Sequence, residues 1–421
     1  MAWGRAVLVI AAVSLAGAAL VGLVSRAPAG VRERPPLRDA TDPNLGASFT
    51  DEQVARHAAY RRPGYVSYLV GVVLSAVTLV VLARGPWERL VGTLDTRVGA
   101  WPVRAVVAGA AIALILTLAA LPLAYVRGFV VEHAWDLSTQ GLGGWLGDQV
   151  KGAAVGVVTS AVAAGVFVGV VRWQPETWWL WGWGAFTGLT AVLFFLWPVV
   201  VAPLFNEFTP LERGPLDERV RALADAAGVP VDEVLVADAS RRTTAENAYV
   251  AGLGGTKRLV LYDTLLAAGT DDQTAFVVAH ELGHQAERHV LKNLVISSAG
   301  LFAAFGLLGW LGRRGGLWAW AGAEGPGDVR ALPLLLLLAT ALTVLATPLQ
   351  AWVSRRFESH ADRIAVGLTG DADAAVSSFR RLALNNLADL DPPRAAVVLF
   401  YSHPPIRDRI EAVVATPGER P

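Results

Sequence analysis

The chain contains no cysteine. Disulfides, thiolate nucleophiles and cysteine metal ligands are all excluded by that absence. Charge is also scarce: Asp, Glu, Lys and Arg make up 17% of the 421 residues, and the formal net charge is zero. The Lys and Arg residues are scattered rather than massed, so no basic face is available and no nucleic-acid partner is expected. The chemistry left open is that of a hydroxyl, a carboxylate, a lysine or a metal-activated water.

Apolar residues, by contrast, reach 54%, a composition that points to a membrane protein and a lipid-bilayer partner. A bilayer crossing needs about 20 mostly apolar residues. Seven stretches meet or approach that length: 6–24, 65–83, 104–126, 152–171, 177–204, 293–312 and 331–349. The fifth opens on WWLWGWG, the composition of an interfacial tryptophan belt, and contains Pro198 and Pro203, which kink or end helices. The sixth carries Asn293, Ser297 and Ser298 and is the weakest of the set. Segment 1–24 also has the look of a signal peptide, with Ala27-Pro28-Ala29 as a cleavage site. Charge placement favours a retained span: Arg26, Arg32, Arg34 and Arg38 follow it at once, and most Lys and Arg fall on the same side as they do. The positive-inside rule then gives an outward N-terminus and a cytoplasmic C-terminus in the inner (plasma) membrane.

The organisation expected is a mainly α protein in four parts. Residues 1–204 form an N-terminal membrane domain of five spans, and 205–292 a cytoplasmic-side segment holding a small β-sheet. Residues 293–349 make a membrane hairpin, and 350–421 a helical C-terminal segment. Within 205–292 the pattern predicts a helix over 217–228, strands over 231–238 and 257–263, a turn at GLGG between them, and a helix over 271–292. Further helices are expected over 351–368, 371–388 and 405–414, and the tail ATPGERP is expected to fray.

The sharpest local signal is HELGH at 280–284. Positions four apart share a helix face, so the His280 and His284 imidazoles can meet one zinc ion, with Glu281 beside them as proton acceptor. The alternative is two surface histidines with an incidental glutamate. The preceding AFVVA weakens it, since that apolar run seats the helix firmly. A third ligand is needed. His289, five residues beyond His284, is rotated off the face and reads as a terminal-turn residue. RRFESHAD (355–362) offers Glu358 and Asp362 four apart on one face. Glu358 is the expected ligand, and Asp362 is expected to accept the other N–H of a ligating imidazole. The competing reading of this pair is helix salt-bridging with Arg355 or Arg356.

Five stretches in order resemble the type I CAAX prenyl protease family of integral-membrane zinc metallopeptidases: VVAPLFNEFTPL, ASRRTTAENAYVAGLGGTKRLVLYDTLL, VVAHELGHQAERH, SRRFESHAD and YSHPPIRDRI. The resemblance covers most of the chain and is strongest from 199 to 411. It implies seven membrane helices around a water-filled chamber, one Zn2+ held by His280, His284 and Glu358, and Glu281 as catalytic base. It also implies a substrate-binding edge strand at Asn247, Ala248 and Tyr249, and active-site roles for His403 and Arg409. Taken alone, Asn247 reads as a turn residue, His403 before Pro-Pro as a loop residue, and Arg409 as part of a solvated helix face. The substrate implied is an extended peptide or membrane-associated protein, with no obligate protein partner. The alanine-, arginine- and glycine-rich composition is that of a high-GC bacterium, where prenylated proteins are generally not made. His360 stands where such proteases often carry another polar or aromatic residue. A transporter would mark its path with ionisable residues inside the spans, and here they lie mostly outside them. A quality-control or scaffold protein with little proteolytic activity would have no use for an intact HELGH and Glu358.

Overall fold

The computed structural model describes residues 2–27, 29–32, 42–252 and 257–415. Arg34, Arg38, the tail from 416 and all of the expected GLGG turn except Gly252 lie outside them. Among the described residues, seven helices are long and apolar enough to cross a bilayer. The first five are α1 (Ala2–Val24), α2 (Asp51–Ala83), α3 (Trp101–Tyr125), α4 (Leu142–Trp173) and α5 (Trp178–Leu196). α1 packs into the bundle: Val21 is fully buried, and the Ser14 hydroxyl donates to Ala119 O at 2.6 Å.

Three of these helices differ from the expected runs, α4 by starting ten residues before its apolar stretch. α2 begins fourteen residues before the apolar stretch, because Thr50 and Gln53 close a capping box that starts the helix in polar sequence. α5 ends at Leu196, and the chain widens into a π-turn over Trp197–Val201 and then a 3-10 turn over Ala202–Leu204. Pro198 and Pro203 lie in those two turns, where their missing N–H groups break the regular ladder.

A four-stranded sheet with short helices follows. Its members are β1 (Phe208–Pro210), helix α6 (Pro215–Ala226), β2 (Glu233–Ala237), β3 (Ala248–Ala251) and β4 (Arg258–Tyr262). The strand order is β1-β2-β4-β3, with β2 and β4 parallel and the outer pairs antiparallel. β3 is therefore an edge strand. Val220, Leu259, Leu261, Phe276, Leu282, Ala365, Phe379 and Ile410 close one core beneath the sheet.

The rest is helical: α7 (Asp271–Ala286), α8 (His289–Gly312), α9 (Leu332–Thr369), α10 (Ala372–Asn385) and α11 (Ile406–Ala415). The helix expected over 271–292 is two helices. Arg288 adopts a left-handed conformation, φ 52°, and turns the chain from α7 into α8. Left-handed backbone costs a residue with a side chain about 1–2 kcal/mol. The opposite correction applies further on, where the span at 331–349 and the helix at 351–368 are one rod of 38 residues. Pro348 removes a single N–H without stopping it, and Gly370, φ 64°, ends it.

Of the polar residues that weakened the sixth span, Ser298 is hydrogen-bonded inside the bundle, and Asn293 and Ser297 line the cavity it encloses. Trp183 Nε1 donates to Ser298 O at 2.9 Å, and the Thr187 and Ser298 hydroxyls are 3.1 Å apart. The tryptophan run is thus split: Trp181 is exposed, while Trp178 is buried and Trp183 packs on Phe302 at 5.3 Å. α3, α4, α5, α8 and α9 enclose a cavity of about 880 Å³. Asn293, Gln350, Ser354 and Ser402 line its polar part.

Candidate metal centre

α7 is fixed before its histidines are placed. Thr270 and Gln273 exchange capping-box hydrogen bonds, and Asp271 and Asp272 favour the first turn through the helix dipole. Ala275, Phe276, Val278, Ala279 and Leu282 are buried, and Phe276 meets Phe379 edge-on at 5.2 Å. α9 crosses α7 closely at Gly283. A Cβ there would lie 3.3 Å from the Cα and carbonyl oxygen of Ala361, so glycine sets the approach of the two helices.

That approach brings three side chains together. His280 Nε2 and His284 Nε2 are 3.1 Å apart. Glu358 places Oε2 3.3 Å from the first and Oε1 3.4 Å from the second. A tetrahedral zinc site with bonds of about 2.0–2.1 Å has ligand atoms about 3.3–3.4 Å apart, so the triangle fits that ion. A second observation agrees. His280 and Glu358 are buried, and Glu358 Oε2 has no hydrogen-bond partner. A buried carboxylate needs positive charge beside it, which a bound cation or a protonated imidazole supplies.

His280 is oriented from behind. His280 Nδ1 lies 2.8 Å from Asp362 Oδ1. Arg409 forks onto the same carboxylate, Nη2 to Oδ1 at 2.6 Å and Nε to Oδ2 at 2.8 Å, and its guanidinium sits 4.2 Å over the Phe379 ring. Burial pulls the His280 pKa down, but Asp362 and Glu358 outweigh it and hold the imidazole at about 9 in the absence of a cation. Glu281 is half-buried. Its burial lifts the carboxyl above the usual range and Glu358 adds to the rise, against the pull of His280 and His284.

His403 stands at the rim, half-exposed, with Nε2 3.2 Å from Glu358 Oε2 and Nδ1 2.9 Å from the Ser402 hydroxyl. Ser402 also lines the membrane cavity, which therefore extends to the residue beside His403. Ala248 and Tyr249 lie on β3, with Asn247 just before it, where its side chain accepts from Ala248 N at 3.0 Å. β3 meets α7 through a long contact from Gln285 Nε2 to Val250 O, 3.5 Å. Burial pushes the Tyr249 phenol up to about 12.

The sequence reading missed His289. It is buried and stacks on Phe357, with centroids 4.3 Å apart, and its Nδ1 is 3.0 Å from His284 Nδ1. On a straight helix it would point away. The break at Arg288 returns it to the back of His284, as Asp362 stands behind His280. The histidine itself was visible in the sequence, but the left-handed arginine that aims it was not.

Two imidazoles and a carboxylate on crossed helices, below a cavity in a seven-helix bundle, define an integral-membrane zinc metalloendopeptidase. The chain belongs to peptidase family M48, whose model matches residues 210–416. A second model, the CAAX prenyl protease N-terminal region with five membrane helices, matches residues 36–207. An uncharacterized metalloprotease, YhfN of Bacillus subtilis (strain 168), is 36% identical over 304 residues, covering 71% of each chain. CAAX prenyl protease 1 of Saccharomyces cerevisiae is 29% identical over 314 residues, 70% of this chain and 69% of its own. The crystal structure of S. mikatae Ste24p superimposes with a TM-score of 0.76 at 25% identity, covering 96% of this chain and 98% of that one.

Proposed function

We propose that His280, His284 and Glu358 hold one zinc ion per chain and that Glu281 is the proton carrier of peptide hydrolysis. The triangle of 3.1, 3.3 and 3.4 Å carries this reading. When bound, the zinc supplies Lewis acidity, bringing the pKa of a water toward neutrality and polarising a carbonyl. Glu281 accepts the proton of the attacking water and delivers it to the leaving amine, a task suited to a carboxyl whose affinity for protons is raised. His403 donates to the oxygen that gains charge as the carbonyl is attacked; a donor of this kind is worth about 3 kcal/mol in the transition state. Asp362 fixes the tautomer and angle of His280, and Arg409 holds Asp362 in place. Arg409 thus acts as a positioning residue rather than one that touches substrate.

The substrate is an extended peptide, or an end of a membrane-associated protein. It adds to β3 at Asn247, Ala248 and Tyr249 as a further strand, so backbone hydrogen bonds fix its register. The relatives named CAAX prenyl protease 1 supply a substrate analogy. The reading places the active site on the cytoplasmic side of the inner (plasma) membrane, on the strength of the basic residues flanking the spans.

The test uses detergent-purified protein, metal analysis and a quenched peptide. Glu358→Ala should lose zinc and activity together, whereas Glu281→Gln should lose activity alone. Unchanged metal content in Glu358→Ala would remove Glu358 from the ligand set.

A further inference from the structure

A second group of metal-ligating side chains sits behind the first. A ring nitrogen from each of His289 and His360 and a carboxylate oxygen of Glu287 lie within 4.8 Å of one another. They come from three elements: the turn after α7, the first residue of α8, and α9. His289 Nδ1 is committed to His284, so Nε2 is the nitrogen left to coordinate, and it is buried with no hydrogen-bond partner. His360 and Glu287 are partly exposed, with His360 Nδ1 3.7 Å from Glu287 Oε2, so the group opens to solvent on one side. Lys292 Nζ occupies Glu287 Oε2 at 2.9 Å. Its side chain is 47% exposed and can swing clear.

We infer that Glu287, His289 and His360 form an accessory site for a divalent transition metal, zinc among them, whose filling inhibits the enzyme. Two imidazoles and a carboxylate are the donor set borderline-soft cations select. The 3.7 Å between His360 Nδ1 and Glu287 Oε2 exceeds the 3.1–3.4 Å separations of the first site, so this one must draw its side chains inward and binds more weakly.

The inhibition follows from one hydrogen bond. When His284 coordinates through Nε2 as a neutral imidazole, its Nδ1 carries a proton and donates to His289 Nδ1. His289 then bears its own proton on Nε2. For a cation to take Nε2, that proton must move to Nδ1, and two N–H groups would face each other across 3.0 Å. The rings must part. His284 then loses the contact that orients it, so filling the accessory site distorts the first site and lowers turnover while both ions stay bound.

The experiment starts from one-zinc enzyme in detergent, titrated with Zn2+ and separately with Co2+. Bound metal is counted after desalting, cobalt absorption reports the coordination of the added ion, and peptide cleavage is followed in parallel. The expected result is a second, weaker equivalent whose filling lowers turnover. His360→Gln and Glu287→Gln should each keep the first equivalent and basal activity, while losing the second equivalent and most of the inhibition. A wild-type enzyme that saturates at one equivalent would overturn the proposal. So would a second equivalent that leaves turnover untouched, or one that persists with its inhibition in both variants.

Discussion

Gly283 of α7 and Ala361 of α9 sit so close that a methyl group at 283 would press on the Ala361 backbone at 3.3 Å. The contact lies one residue from His284 and three from Glu358, so helix spacing and ligand spacing are one quantity. Gly283→Ala should push the helices apart by a few tenths of an ångström. Because a misplacement of about 1 Å can cost about a hundredfold in rate, a several-fold loss of kcat/KM is expected. Steady-state kinetics beside metal content would read it, and wild-type values for both would show that the contact is slack.

Asp362→Asn should keep the fold but give His280 a weaker acceptor. Outer partners of zinc ligands are worth about 10–100-fold in metal affinity, and a loss in that range is expected by chelator competition. Arg409→Lys should move affinity the same way but less, because one ammonium replaces a two-pronged fork.

Glu281→Gln should bind zinc as well as the parent while peptide cleavage falls by about 10²–10⁴-fold. Full activity in that variant would assign the proton transfer elsewhere.

Zinc affinity should rise with pH. Without a cation His280 titrates near 9, so at neutral pH it carries a proton that zinc must displace. Binding is hindered below that value and freed above it. Calorimetry at pH 7 in buffers of different ionisation enthalpy should show proton release on binding; heats independent of buffer would contradict it.

The sequence disclosed what depended on local spacing. HELGH announces itself because positions four apart share a helix face, and Glu358 with Asp362 followed the same rule. The seven spans were legible as apolar runs, and β2 and β4 as short apolar stretches between turn residues. β1, only three residues long, left too little pattern to read. Two features depended on the surrounding fold. Arg288 has no composition that advertises left-handed backbone, so the bend that aims His289 at His284 was hidden. The continuity of α9 was masked by Pro348 and by the change from apolar to charged sequence near 350, which looked like a boundary.

That continuity has a mechanical consequence. The rod that crosses the bilayer also carries Glu358 and Asp362 in its far turns, running on as one helix through Pro348 at about 1.5 Å of rise per residue. A thicker or thinner bilayer is accommodated by helix tilt, and tilt of this rod moves the carboxylate relative to the two imidazoles on α7. Acyl-chain length is therefore expected to change peptide cleavage, which activity in vesicles of differing chain length would read.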